Sequence, residues 1–444
     1  MKMIKLVLLF FIIPISISAQ HTITATFSPA KDYTWAILYK TTPTSNGYVA
    51  QGKITDGKVV FNLDSEAKEG IYKLTYAVPQ EEYNFDIIYN KKENVEVTYN
   101  EKEGAVFQKS SENILLNEYL QSMSLVNTQI GEYYVQSKQD TTEVLQFFNQ
   151  QRELQKGFEK QSEGTIVHSF IKANRPYIPT KYEDDDTYIV NLTSNYFSYL
   201  DFNDPVLQSS RLLMDRVIGY LVGVIPEGMD RTTAFNRNID FIEQQLVNTE
   251  KNYHKIFLDR LWGKLVLYRL TDNANYLAIT YLIPLAEKMQ DPKLVDKLIN
   301  FKNLSIGNVA PDFSWEEKVN GKSHTQKLSD LTVAENYILI FWSSTCSHCL
   351  AEIPKLNEFL KGVSETKYKV IALGLEENPV NWNKEISKYP NFIHVIGLGK
   401  WENEIGKAYD ITGTPTYFVL DKEKRFVLKP DSLEKLEEYL NKNK

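Results

Sequence analysis

The run Tyr337-Ile-Leu-Ile-Phe-Trp342, followed closely by Cys346-Ser-His-Cys349, constrains this chain more than any other feature. A run of apolar residues with no polar alternation reads as a strand buried on both faces of a sheet. After the cysteines, Leu350, Ile353, Leu356 and Phe359 or Leu360 recur three and four residues apart, the spacing of an amphipathic helix. A buried strand feeding such a helix belongs to an alternating β and α arrangement. Further strands are expected over Lys369–Leu375, Phe392–Ile396, Tyr417–Leu420 and Phe426–Leu428. Counting Tyr337–Trp342 as the first strand, helical stretches lie between the first four strands, a hairpin closes the sheet, and a last helix spans Ser432–Leu440.

Cys346 and Cys349 are the only two cysteines of the chain, so a zinc site of four cysteines is impossible. The loop between them is too small to restrain an unfolded chain much, which makes a structural staple a weak explanation. Dithiol chemistry suits the arrangement better. A two-residue spacer lets both sulfurs meet across the first helical turn. Free N–H groups and the positive helix end there favour a thiolate on Cys346. The strand-to-helix junction exposes the first sulfur and shields the second, so one attacks and the other resolves the mixed disulfide. His348, between the cysteines, is a candidate for tuning the redox poise, because an imidazolium beside a thiolate stabilises it. No cofactor is expected beyond a redox-active Cys346–Cys349 disulfide, and no metal.

The chain of 444 residues is too long for one compact core. Lys2 and Lys5 precede the apolar run Leu6–Ile17, with small residues at Ser18 and Ala19, the order of a secretory signal peptide. Residues 1–19 are therefore expected to be removed, leaving a protein exported to the periplasm or another extracytoplasmic space with no stable membrane span. Residues 20–105 carry short β-branched and aromatic segments separated by turns, and predict an antiparallel β-sandwich. Residues 106–303 predict an α-helical domain of about eight helices from their three- and four-residue apolar spacing. Residues 304–444 form the third domain, an α/β fold.

Residues 306–444 resemble the TlpA/ResA branch of the thioredoxin superfamily, the periplasmic thiol-disulfide oxidoreductases. The resemblance runs through Gly307-Asn-Val-Ala-Pro-Asp-Phe313, read as the opening strand, then Gly321 and Leu328-Ser-Asp-Leu331. It continues through Phe341-Trp342, the C-x-x-C pair, Glu352-Ile-Pro354 and Ala408-Tyr-Asp-Ile-Thr-Gly-Thr-Pro-Thr-Tyr-Phe418. It implies a thioredoxin-like fold, with Cys346 as nucleophile, Cys349 as resolving thiol and Glu352 as an acid that tunes the thiols and moves protons. Pro415 matches the family's cis-proline, and Thr414 before it offers backbone groups to an extended peptide. Trp342 reads mainly as a core or wall aromatic and secondarily as part of the substrate-binding side. Two departures stand out: Ile340 occupies a position where many thioredoxins carry a buried aspartate, and Thr345 replaces the family's Trp before the first cysteine.

The resemblance implies a protein-disulfide reductase that acts on exported protein thiols and disulfides and draws electrons from a membrane thiol donor. A disulfide oxidase or isomerase is the alternative within the same chemistry. A ligand-binding protein with a thioredoxin-like scaffold is the alternative outside it. The net charge of -7 gives no basic footprint for nucleic acid. Glu183-Asp-Asp-Asp186 lacks the spaced ligands of a calcium loop and reads as a solvated acidic loop. His168, His254 and His394 show no paired-ligand spacing.

Overall fold

The structure, a computed structural model, describes residues 21–30, 33–136, 140–319 and 322–443. The expected leader at 1–19 and the family-matching Gly321 lie outside the described residues. The chain divides after Leu261 into two compact units.

The first unit begins with β1 (Thr22–Phe27), β2 (Trp35–Thr41), β3 (Asn46–Lys53) and β4 (Lys58–Asn62). It continues with β5 (Gly70–Thr75), β6 (Asn84–Tyr89), β7 (Val95–Asn100) and β8 (Gly104–Lys109). Two four-stranded sheets result, in the orders β4-β1-β7-β8 and β3-β2-β5-β6. Alternation places Ile23, Ala25 and Phe27 of the first sheet in one buried cluster with Leu38, Leu74 and Ile87 of the second. β1 runs parallel to β7, so the first sheet is mixed where the short turns suggest a purely antiparallel one. Strands far apart in sequence need no hairpin between them, and turn residues are silent about how such strands pair. Nor does the sequence announce β3: most of it is exposed, and it carries Gly47 and Gly52. Gly52 is needed there, since a Cβ would lie 2.5 Å from Val59 Cγ2.

Helices α1 (Ser111–Val135), α2 (Thr141–Gln161), α3 (Val167–Ala173), α4 (Asp185–Ser194) and α5 (Pro205–Gln208) follow. Then come α6 (Leu212–Gly223), α7 (Arg231–Leu246) and α8 (Lys251–Leu267), within which the two units divide. The acidic run is no free loop: Asp184 Oδ1 caps α4 by accepting from the Thr187 N–H at 2.8 Å. Its neighbour Glu183 is buried and accepts from Tyr177 and Asn191.

The second unit opens with α9 (Thr271–Leu277), a π-helical turn over Ala278–Leu282, α10 (Ile283–Lys288) and α11 (Pro292–Asn303). The described residues between the strands of the two units thus carry eleven α-helices, where the sequence suggests about eight. α3, α5, α9 and α10 are too short for a 3.6-residue period to register. α9–α11 belong to the same compact unit as the C-terminal β/α part, and Leu304 beyond α11 is buried with Leu328, Tyr337 and Phe426.

A hairpin of β9 (Ser314–Val319) and β10 (Lys322–Lys327) precedes β11 (Asn336–Trp342), α12 (Ser347–Leu360) and β12 (Tyr368–Glu376). Then follow α13 (Val380–Ile386), β13 (Ile393–Leu398), α14 (Glu404–Ala408), β14 (Thr416–Asp421), β15 (Phe426–Leu428) and α15 (Leu433–Lys442). The five-stranded sheet has the order β13-β12-β11-β14-β15, with β11, β12 and β13 parallel and β14 and β15 antiparallel to their neighbours. Its central strand β11 explains the apolar run. Ile338, Ile340 and Trp342 enter one cluster with Ile353 and Leu356 of α12, while Tyr337, Leu339 and Phe341 enter another on the opposite face. The expected opening strand at 307–313 is corrected. That segment forms no ladder strand, only an isolated bridge from Val309 to Arg425. It still bonds to the start of β15 and the turn before it, through Gly307 N–H to Phe426 O at 2.8 Å and Ala310 N–H to Lys424 O at 2.8 Å. Pro311 has no N–H to extend the pairing. No helix among the described residues is long and apolar enough to cross a membrane.

Candidate active site

β11 ends at Trp342, and Ser343, Ser344 and Thr345 carry the chain to Cys346 at the start of α12. The turn is tied down from two sides. The Cys346 N–H donates to Ser343 O at 3.1 Å, and the Ser344 N–H donates to the carboxylate of Glu376, buried at the end of β12. Cys346 has extended backbone and serves as the N-cap of α12, its sulfur accepting from the Cys349 N–H at 3.3 Å. A cap position points the sulfur at the unpaired N–H groups of the first turn.

The two sulfurs live in opposite surroundings, and both are free thiols. Cys346 is half-buried, and its thiol contacts the Thr414 carbonyl oxygen at 3.3 Å. Burial pushes the Cys346 thiol up. Hydrogen bonds from the Cys349 and Thr414 side chains and from the backbone N–H groups of Cys349 and His348 outweigh it and hold the thiol below its ordinary value. Cys349 is fully buried. Burial first, and then its hydrogen bond with Cys346, push its thiol up to about 12. The arrangement offers one accessible, readily ionised sulfur and one shielded sulfur that keeps its proton.

The Thr414–Pro415 peptide is cis, and both residues are half-buried beside the dithiol. Glu352 lies one turn along α12 from Cys349, on the same side of the helix. Its Oε2 accepts from the Tyr417 hydroxyl at 2.8 Å. Thus Cys346, Cys349, Thr414, Pro415 and Glu352 come together. His348 and Trp342 do so differently from expectation. His348 is exposed and meets the Cys346 thiol through its backbone N–H, not its imidazole. Trp342, 1% exposed, is a wall of the core beneath the dithiol and presents no surface to a substrate, which corrects its assignment to the substrate-binding side.

Two residues of this neighbourhood escape a reading of the sequence. Glu376 ends a buried strand, where an acid looks like the first solvated residue. Tyr417 sits among apolar strand residues; its one signal is its place two residues after Pro415, in register opposite Ile340 of β11.

A thioredoxin-like family model matches residues 335–426. The thiol-disulfide oxidoreductase ResA of Bacillus thuringiensis subsp. konkukian (strain 97-27) is 30% identical over 145 residues, covering 32% of this chain and 80% of that protein. ResA of Geobacillus kaustophilus (strain HTA426) is 27% identical over 120 residues, covering 27% of this chain and 65% of the relative. Among solved structures, a domain of a possible thiol-disulfide isomerase from Cytophaga hutchinsonii ATCC 33406 is 30% identical at a TM-score of 0.27, over 32% of this chain and 93% of that one. A thioredoxin-like protein from Bacteroides caccae ATCC 43185 is 19% identical at a TM-score of 0.39, over 61% of this chain and 98% of that one. Through the similarity of its C-terminal part to ResA, the chain belongs to the ResA-type thiol-disulfide oxidoreductases of the thioredoxin-like family.

Proposed function

We propose that the protein is an extracytoplasmic protein-disulfide reductase whose dithiol is Cys346 and Cys349. The observation that carries this reading is the asymmetry of the pair: a half-buried, hydrogen-bonded Cys346 with a lowered pKa beside a buried Cys349 with a raised one. The Cys346 thiolate attacks a substrate disulfide, forming a mixed disulfide and expelling one substrate thiolate. Cys349 then loses its proton and attacks Cys346. The Cys346–Cys349 bond forms, the bond to substrate breaks, and the second substrate sulfur leaves and takes up a proton. Substrate is reduced by two electrons and the protein is oxidised by two. Glu352 receives the Cys349 proton, Thr414 and Pro415 receive the substrate chain, and His348 supports the thiolate through its N–H.

The direction rests on the resemblance to the TlpA/ResA branch, and a membrane thiol donor regenerates the dithiol. Export rests on the Lys2, Lys5 and Leu6–Ile17 pattern. The β and helical parts of the first unit contain no cysteine, so they act in recognition or assembly and not in exchange. The test is reduction of insulin with dithiothreitol as electron source, together with the reduction potential. Activity lost in Cys346→Ser is expected; equal activity in that variant removes the enzyme reading. A potential near the roughly -120 mV of strong oxidants replaces reductase with oxidase.

A further inference from the structure

Ile340 leaves the central strand without a buried acid, yet a second group reaches the same face. In the β11–β14 register Ile340 pairs with Tyr417, and both side chains lie in the cluster that holds Cys349 and Trp342. Tyr417 is 2% exposed. Its hydroxyl donates to Glu352 Oε2 at 2.8 Å, while the phenol feels both Cys349 and Cys346 electrostatically. Glu352 approaches from α12 and Tyr417 from β14, so two independent elements meet in one hydrogen bond beside the cluster that holds the buried sulfur.

We propose that Tyr417 is a positioning residue for the resolving half of thiol exchange, holding the Glu352 carboxylate where it accepts the Cys349 proton. A carboxylate on a flexible stem, one turn beyond Cys349, has several rotamers in which it faces water. A buried donor that cannot leave its strand selects one of them. The phenol is a dependable donor: burial first, and then the carboxylate itself, push its ionisation far above the ordinary range. Proton and electrons balance within the exchange. The Cys349 S–H bond breaks and Glu352 takes the proton. The Cys349 electron pair forms the bond to Cys346, and the Cys346–substrate bond breaks with its pair on the substrate sulfur. That sulfur takes a proton from Glu352 or water. The oxidant is the substrate disulfide itself.

This inference rests on the proposed roles of Cys349 and Glu352, and the experiment separates them. The protein is reduced and mixed with an aromatic disulfide whose released thiol is coloured, and the two steps are followed by stopped flow. The first release reports attack by Cys346 and the second reports resolution by Cys349. In Tyr417→Phe, resolution is expected to slow at least about tenfold, the lower end for one hydrogen bond to a charged group. Attack changes much less, and the pH at which resolution reaches half its maximum moves upward. Glu352→Gln is expected to slow resolution at least as much, and Tyr417→Phe in that background to add nothing further. Unaltered resolution in Tyr417→Phe, or an equal added loss in the double variant, overturns the positioning role. Unaltered resolution in Glu352→Gln removes the Glu352 reading instead, whatever Tyr417→Phe shows. Brief alkylation with iodoacetamide under native conditions, read by mass spectrometry, modifies only Cys346 in folded molecules, where Cys349 is buried, and both cysteines in misfolded ones, so the misfolded fraction of each variant is counted and the rate stays interpretable.

Discussion

Replacing Cys346 with alanine isolates the thiol that the fold buries. In the intact pair, burial and then the Cys346 hydrogen bond push Cys349 up to about 12. The variant abolishes the second cause and leaves the first, because Ile353, Leu356 and Trp342 still enclose the sulfur. At pH 8 an ordinary thiol with a pKa of about 8.5 is roughly one quarter ionised, whereas one titrating near 12 is ionised about once in 10⁴. The full shift therefore corresponds to a fall of about three decades in thiolate. Because part of it belongs to Cys346, the lone Cys349 is expected to react at least about 100-fold more slowly than an unhindered cysteine. The assay is alkylation by iodoacetamide, followed by mass spectrometry in native buffer and again in concentrated urea. The denatured rate supplies the unhindered reference for the same residue. A native rate within about threefold of the denatured one would refute burial as the cause that controls this thiol.

Gly374→Ala tests the packing beside the active site. Its Cβ would lie 2.5 Å from Trp382 Cδ1, and Trp382 has little room to retreat at 8% exposure. A loss of about 1–3 kcal/mol is expected, seen as a fall of several degrees in melting temperature; an unchanged melting point contradicts the overpacking argument. In the helical region of the first unit, Arg175 forks onto Glu159, with its Nε donating to Oε1 at 2.9 Å. Burial pushes the Glu159 carboxyl up, but hydrogen bonds from Arg175 and Gln155 outweigh it and hold it below the usual range. The pair's stabilisation is therefore complete above the unfolded value of about 4.3 and is lost as pH falls through the lower folded value. Arg175→Met should lower the urea midpoint at neutral pH and flatten its decline on acidification, and equal acid slopes in both proteins would count against the pairing.

Much of the active-site neighbourhood is legible before any folding. β11, α12 and the strands after them announce themselves because each carries a long local period or an unbroken apolar run. The cysteine pair declares its chemistry because it stands alone in the chain at a strand-to-helix junction. What stays hidden is whatever depends on residues distant in sequence. β1 meets β7 in parallel, β3 forms on the strength of its neighbours, and the segment at 307–313 fails to become a strand because its pairing is cut short. None of these leaves a mark in a window of a few residues.

The sequence by itself determines the class of domain, the position of the dithiol and which sulfur comes first. Those follow from periodicity, from turn chemistry and from two cysteines at a fixed spacing, all local properties. Only the tertiary structure decides how the sulfurs differ and what surrounds them. Cys346 is lowered by groups from the helix start and from the loop before β14, and Cys349 is raised by a core assembled from two faces of chain. It also turns Trp342 inward, brings His348 in through its backbone, and joins Tyr417 to Glu352 across 65 residues of chain. Burial and hydrogen-bond partners are sums over three-dimensional neighbours, so a pKa or a proton route cannot be read from the order of residues alone.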